Sequence, residues 1–340
     1  MSKEKIGIVS TGMYVPKERM KGSEIASLSG LPIHVVTDKM GIQEKTIPGP
    51  NDHTCQMGIE ASREALKKAN INPEDIDLII YIGEEHKEYP LWTAGIKLQQ
   101  EIGAVNAWAF DVALRCGTTV MALKVAKAMM TSDESIRTVL LAGGYRNVDF
   151  IDYGNPRTRF MYNLSAGGGA IILQKGYEEN ELLETALMTD GSFSEDVVVV
   201  AGGTKHPVTE EALEKRLNYL DVLDPEGMKQ RLEAKSMANF LQVIRDSLGK
   251  SGLSEADIDY LAILHMKRSA HDYVLNELKL RDDQSIYLEN YGHMGQIDQI
   301  LSIELALEQG KIKEGDVVVL VSAGIGYAWG ATTIRWGKQH

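Results

Sequence analysis

The sequence predicts an α/β protein made of two similar halves, each a mixed sheet carrying helices. Three observations lead there. Apolar runs without polar alternation, LIIYI (78–82), TVLLA (138–142) and VVVLV (317–321), suit strands in sheets covered on both faces. Between them, apolar residues recur at helical spacing, as at Ile59, Ala61, Ala65, Leu66 and Ala69, and again at Phe240, Leu241, Ile244 and Leu248. Finally, the chain repeats itself: ALKKANINPEDIDLIIYIG around residue 75 returns as SLGKSGLSEADIDYLAILH around residue 257, an offset of 182.

The repeat orders the remaining elements. RTVLLAGG from Arg137 matches GDVVVLVSAG from Gly315, and each leads through a Gly-rich turn into a further strand, AGGGAIIL from Ala166 and WGATTIRW from Trp329. Helices are expected over 57–69, 117–130, 237–248 and 297–308. Alternating strands and helices of this kind build two α/β halves. Residues 1–177 are assigned to the first half and 236–340 to the second. Residues 178–235, with the acidic helix-like run 210–216, break the pattern and are read as an insertion between the halves.

Composition narrows the function classes. Acidic residues outnumber basic ones 48 to 36 and no basic tract is present, so the chain offers nothing to a phosphate backbone and nucleic acid is set aside as a partner. No run reaches the roughly 18 apolar residues of a membrane helix. The two cysteines cannot make a disulfide framework, and the opening MSKEKIGIVSTG lacks the apolar core of a signal peptide, so the protein is expected in the cytoplasm. The histidines show no close metal-ligand spacing, and no metal site or resident cofactor is expected.

Three positions carry chemistry. Cys116 ends the segment AWAFDVALRC and opens an apolar helix, where unpaired backbone N–H groups and the helix dipole favour a thiolate. Position alone also admits a small buried hydrophobe, which is the reading given to Cys55. An offset of 177 from Cys116 lands on His293, at the corresponding strand-to-helix junction of the second half, SIYLENYGHMGQIDQIL, and His265 ends the strand YLAILH. Each histidine alone is equally open to a structural role. Pseudo-symmetry gathers both at one central site with Cys116.

Here the residues meet a known family. IGIVSTGMYVPKERM, VTDKMGIQEKTI, DGSFSEDVVVVAGGTKHP and the ending SAGIGYAWGATTIRW resemble, in order and over essentially the whole chain, segments of the thiolase superfamily, most closely its β-ketoacyl-[acyl-carrier-protein] synthase III branch. The resemblance implies a thiolase-like fold whose two halves stack in five layers, αβαβα. It implies an acyltransferase of fatty acid or related secondary-metabolite biosynthesis. Cys116 would take an acyl group from acyl-CoA or acyl carrier protein, and a Claisen condensation with a malonyl-type thioester would follow. His265 and His293 would assist by donating N–H groups to the enolate oxygen. The Cys116 amide and the Gly324-Ile325-Gly326 backbone, Ile325 above all, would form the oxyanion hole. No cofactor beyond the thioester substrates is implied. A homodimer is implied too, joined through the segment after Pro90 and the strand near Trp108.

The chain departs from that branch in several places. His293 stands where Asn is usual, Met-Lys-Arg-Ser follows His265, Arg115 precedes Cys116, and the tryptophan that commonly holds the CoA adenine is missing, with Lys45 at a typical Arg position. Glu85 falls where the related hydroxymethylglutaryl-CoA synthases place a base. That position opens a second reading, non-decarboxylative condensation or plain acyl transfer with Glu85 or His293 as base; the bland meaning of GEEHKE is a solvated acidic loop. A reading of another class is a non-catalytic thiolase-fold partner subunit.

Overall fold

A computed structural model of the chain describes residues 4–325 and 327–338. The first half runs β1 (Ile6–Tyr14), the short β2 (Arg19–Lys21), α1 (Gly22–Ser29), β3 (Glu44–Thr46), α2 (Thr54–Ala69), β4 (Leu78–Tyr81), α3 (Ala94–Ile102), β5 (Trp108–Asp111), α4 (Thr118–Ser132), β6 (Thr138–Tyr145) and β7 (Gly167–Lys175). The second runs β8 (Glu181–Thr189), β9 (Val197–Val199), α5 (Glu210–Glu214), β10 (Leu220–Val222), α6 (Pro225–Lys250), β11 (Tyr260–Ile263), α7 (Arg268–Glu277), α8 (Asp298–Glu308), β12 (Val317–Gly324) and β13 (Ala328–Arg335). Nine strands form one mixed sheet in the order β11-β12-β13-β8-β1-β7-β6-β4-β5. Its two parts join at a single register position, Gly7 opposite Glu181.

Period-2 alternation along the strands produces the layers. In β4, Leu78 and Ile80 face a central core while Ile79 and Tyr81 face α2 and α3. In β12, Val318 and Leu320 face the same central core while Val317, Val319 and Val321 pack against α6 and α7. The central core also holds Val120, Leu123 and Ala126 of α4 and Ile300, Leu301 and Ile303 of α8. The arrangement is therefore helices, sheet, helices, sheet, helices, as the resemblance implies. Both faces of each sheet are buried, which is why its strands read as continuous apolar runs.

Three elements differ from the sequence reading. Glu181–Thr189 is not part of an insertion: it pairs along its length with β13, so the second half's sheet starts at β8. Helix α6 starts at Pro225, capped by the Asp224 side chain on Gly227 N–H, some three turns before the apolar period begins. Those first turns are mostly exposed, so no apolar stripe marks them. The segment SIYLE (285–289) makes no ladder; Ser285 instead donates its hydroxyl to the Leu261 carbonyl at 2.7 Å. Cys55 is packing, as expected: it is buried under α3, and burial, reinforced by Glu88 and Asp111, pushes its thiol up to about 12. Among the described residues, no helix is long and apolar enough to cross a membrane.

Candidate active site

Both sheets end at one place, and the pseudo-equivalent strand ends deliver the chemistry there. Past β5 the chain turns through the single 3-10 turn Arg115–Gly117 into α4 and sets Cys116 at its N-terminus, buried. Arg115 adopts a left-handed φ of 49°, uncommon for a side chain of its size. Its guanidinium is tied down by the buried Glu84, 3.1 Å away, and by Glu85. The end of β12 closes the other side. A Cβ on Gly324 would stand 3.1 Å from Cys116 N and 3.2 Å from Leu114 O, so any side chain here would push the strand and the thiol turn apart by a few tenths of an ångström.

Cys116 Sγ lies 3.1 Å from His293 Nε2. On the other side of the ring, Nδ1 lies 2.5 Å from Oδ2 of Asp298, the first residue of α8. Asp298 is fully buried; it also accepts the backbone N–H groups of His265 at Oδ2 and Met294 at Oδ1, each at 2.7 Å. Burial opposes a charged His293 ring, yet the Asp298 carboxylate and then the Cys116 sulfur outweigh it and hold its pKa well above the usual imidazole value. The ring therefore donates from Nδ1 to Asp298 and from Nε2 to Cys116. Cysteine, histidine and aspartate thus stand in one buried hydrogen-bonded row, Cys116–His293–Asp298.

His265 takes a different part. Burial lowers its pKa to about 4, so the ring is neutral. Its Nε2–H donates to the Gly41 carbonyl at 3.0 Å, and Nδ1 accepts from the Asn163 amide at 2.9 Å. Asn163 joins the two histidines, since its carbonyl also accepts the His293 backbone N–H at 2.7 Å. Lys45, read at a typical arginine position, is wholly buried and donates to the carbonyls of Tyr162 and Leu164, on either side of Asn163, at 2.8 and 2.7 Å. It holds this loop in place.

Cys116, His265 and His293 line one cavity of about 560 Å³, and Ile325 lines it too; Gly326, the last residue of the expected oxyanion backbone, lies outside the described residues. The walls are largely apolar, with Met40, Phe160, Met237 and Phe240, and exposed Lys39, Arg159 and Lys267 complete the lining. Glu85 is elsewhere. Its side chain is 62% exposed, paired with Arg115, and lines a separate neighbouring depression. The acidic loop GEEHKE thus has its solvated meaning at Glu85, while Glu84 turns inward. Among the described residues, no group of three or more His, Cys, Asp or Glu side chains is placed to hold a metal ion.

Sequence reasoning missed Asp298, Asn163 and Gly41. Only Asp298 left a readable signal, a carboxylate at the start of the helical segment five residues after His293.

Two family models match the chain and together cover half of it: 3-oxoacyl-[acyl-carrier-protein] synthase III over residues 110–191 and its C-terminal model over 248–336. The chain belongs to the 3-oxoacyl-[acyl-carrier-protein] synthase III family of the thiolase superfamily. The two matched segments carry Cys116 and both histidines. Relatives in this synthase III family include the β-ketoacyl-[acyl-carrier-protein] synthase III of Caldanaerobacter subterraneus subsp. tengcongensis, 27% identical over 334 residues and 98% of each chain. That of Roseiflexus castenholzii is 28% identical over 330 residues and 97% of each chain. Among solved structures, the 3-oxoacyl-[acyl-carrier-protein] synthase III of Aquifex aeolicus shares the fold with a TM-score of 0.82 at 22% identity, over 97% of this chain and 100% of the other.

Proposed function

We propose that this synthase III family member is an acyltransferase that takes an acyl group from acyl-CoA or acyl carrier protein onto Cys116 and joins it to a malonyl-type thioester by Claisen condensation. The observation that carries the reading is the Cys116 sulfur, hydrogen-bonded to His293 in an apolar cavity large enough for a thioester arm, in a chain of this family. In the first half-reaction the sulfur attacks the thioester carbon. The tetrahedral oxyanion is held by the Cys116 N–H and the backbone at Ile325, and the departing thiolate takes the Nε2 proton of His293. In the second, decarboxylation of the malonyl donor develops an enolate oxygen, and a reprotonated His293 donates to it while the carbon attacks acyl-Cys116. His265 serves by position, anchoring Asn163 and Gly41 around the pair.

Lys39, Arg159 and Lys267 at the cavity support a phosphate-bearing thioester, and they give a chain of net charge −12 the local basic patch an acidic carrier needs. We assign no resident cofactor. The dimer belongs to the proposal as well: β5 is an edge strand, its Trp108 is 51% exposed and stacks on Phe110, and Leu91 stands fully exposed nearby in sequence. A second copy pairing on this edge would cover them, and sedimentation of wild type against Trp108→Glu tests it. The cytoplasmic location also stays a proposal, supported by two buried free cysteines. Condensation is tested by supplying one acyl thioester and malonyl thioester and measuring carbon dioxide release and 3-oxoacyl product. Equal amounts of each are expected; neither appearing would refute the reading.

A further inference from the structure

We propose that the acyl-Cys116 enzyme has a second class of acceptor, a hydroxyl group, to which it transfers the acyl chain as an oxygen ester, with His293 as general base and Asp298 as the residue that positions it. The inference rests on the acyl-Cys116 reading above and extends it to the acceptor.

A condensation needs N–H groups pointed at the oxygen of a second thioester. His265 is not offering one: its Nε2–H is given to Gly41 and its Nδ1 is turned to Asn163. His293 is held in the way that suits proton removal, with Nε2 3.1 Å from the attacking sulfur and Nδ1 on a fully buried carboxylate that is itself fixed by two backbone N–H groups. No carboxylate stands among the described residues lining the cavity, so no other anionic base competes there. An asparagine at position 293 would donate a hydrogen bond but offer no basic nitrogen. The histidine adds the capacity to accept a proton from a neutral nucleophile.

The protons and bonds balance without any oxidant or further reactant. During acylation the ring loses its Nε2 proton to the departing thiolate, which leaves Nε2 with a lone pair beside the acyl carbon. A hydroxyl entering there gives its proton to Nε2 as the C–O bond forms. Collapse of the tetrahedral intermediate breaks the C–S bond and returns the Cys116 thiolate next to a protonated ring, the starting state. Water entering the same way gives hydrolysis, so an alcohol acceptor must outrun it.

The test uses the full-length protein, acylated with acetyl-CoA and freed of excess donor by gel filtration. Ethanol, glycerol or 2-phenylethanol is added, and acetyl-enzyme loss and ester formation are followed by mass spectrometry. The expected result is ester formation with at least one alcohol, removing the acyl group at least tenfold faster than buffer alone. In His293→Asn, loaded to the same extent, alcohol transfer should fall by about 10²–10⁴, the usual contribution of a general base, and should lose the pH dependence that a titrating imidazole gives it. Alcohols that do not hasten acyl loss in the wild type, or a His293→Asn enzyme that transfers to alcohol undiminished, would overturn the inference. If the variant does not fold, the wild-type arm decides alone. Failure to form acetyl-enzyme from any thioester would strike the reading of Cys116 instead, so the two failures are distinct.

Discussion

Asp298→Asn keeps the size of the side chain and removes its charge, which isolates what the carboxylate does for His293. Oδ2 accepts His293 Nδ1–H and the His265 backbone N–H, and Oδ1 accepts the Met294 N–H. An amide nitrogen at Oδ1 would face one N–H; at Oδ2 it would face two. The first orientation is favoured; it leaves the Met294 N–H without its acceptor and sets the new amide N–H groups against a donor, a cost of at least about 1–3 kcal/mol in unfolding free energy. The larger effect is on the ring. Without the anion, burial dominates, the pKa of His293 falls, and the proton that Nε2 shares with the sulfur is no longer secured. Acylation by a thioester should slow by about 10²–10⁴, and the alkaline limb of its pH profile should move to lower pH. Quenched-flow mass spectrometry across pH measures the rate, and urea unfolding measures the stability loss. A variant that acylates within threefold of wild type, with an unmoved profile, would refute the role given to Asp298.

Four further outcomes are expected. Gly324→Ala puts a methyl 3.1 Å from Cys116 N and 3.2 Å from Leu114 O, so urea unfolding should show a loss of about 1–3 kcal/mol and acylation should slow at least tenfold as the thiol turn shifts. Glu85→Gln should leave acylation and product formation within threefold, because the side chain is exposed and outside the thiol's cavity; a hundredfold drop would restore Glu85 as a base. Burial holds both His265 and His271 neutral, with pKa values lowered to about 4, so between pH 6.5 and 4 the unfolded chain binds protons the folded chain does not. Stability is then full above about pH 6.5 and falls as pH drops toward 4, by on the order of 3 kcal/mol per histidine; His271→Gln should shrink that slope in urea titrations at several pH values, and an unchanged slope would contradict it. For His293 the sign reverses: its raised pKa contributes stability below pH 6.5 that is lost as pH rises through the folded value, so His293→Gln should flatten the alkaline side of the stability curve.

Which parts of this were legible in the sequence follows from where the information lies. Strands β4, β6 and β12 declare themselves because burial on both faces forces continuous apolar runs, and the repeat then places the ends of pseudo-equivalent strands together. Cys116 and His265 follow such ends, β5 and β11, and the repeat sets His293 at the turn into α8 that matches the turn of Cys116 into α4, so their convergence could be read before any coordinates. Asp298 was hidden because an acidic residue in a first helical turn is ordinary capping chemistry, and only its burial and its 2.5 Å bond to His293 set it apart. His265 was visible as a site residue, but its commitment to Gly41 and Asn163 depends on contacts across 224 and 102 residues of chain. Glu85 stood in the right linear place, yet Arg115 draws it outward and turns its neighbour Glu84 inward, a choice that no spacing encodes. The first turns of α6 escaped notice for lack of an apolar stripe, and β8 because it follows an acidic turn, YEENE, that reads as a boundary.

The central claim is that Cys116 carries the acyl group, and intact-protein mass measures it most directly. Wild type and Cys116→Ala are incubated in parallel with a panel of acyl-CoA and acyl-carrier thioesters. A mass gain of one acyl group on the wild type, absent from the variant, is the predicted result, and the donor that labels fastest identifies the substrate class. No labelling by any thioester, or labelling that persists in Cys116→Ala, would contradict the account.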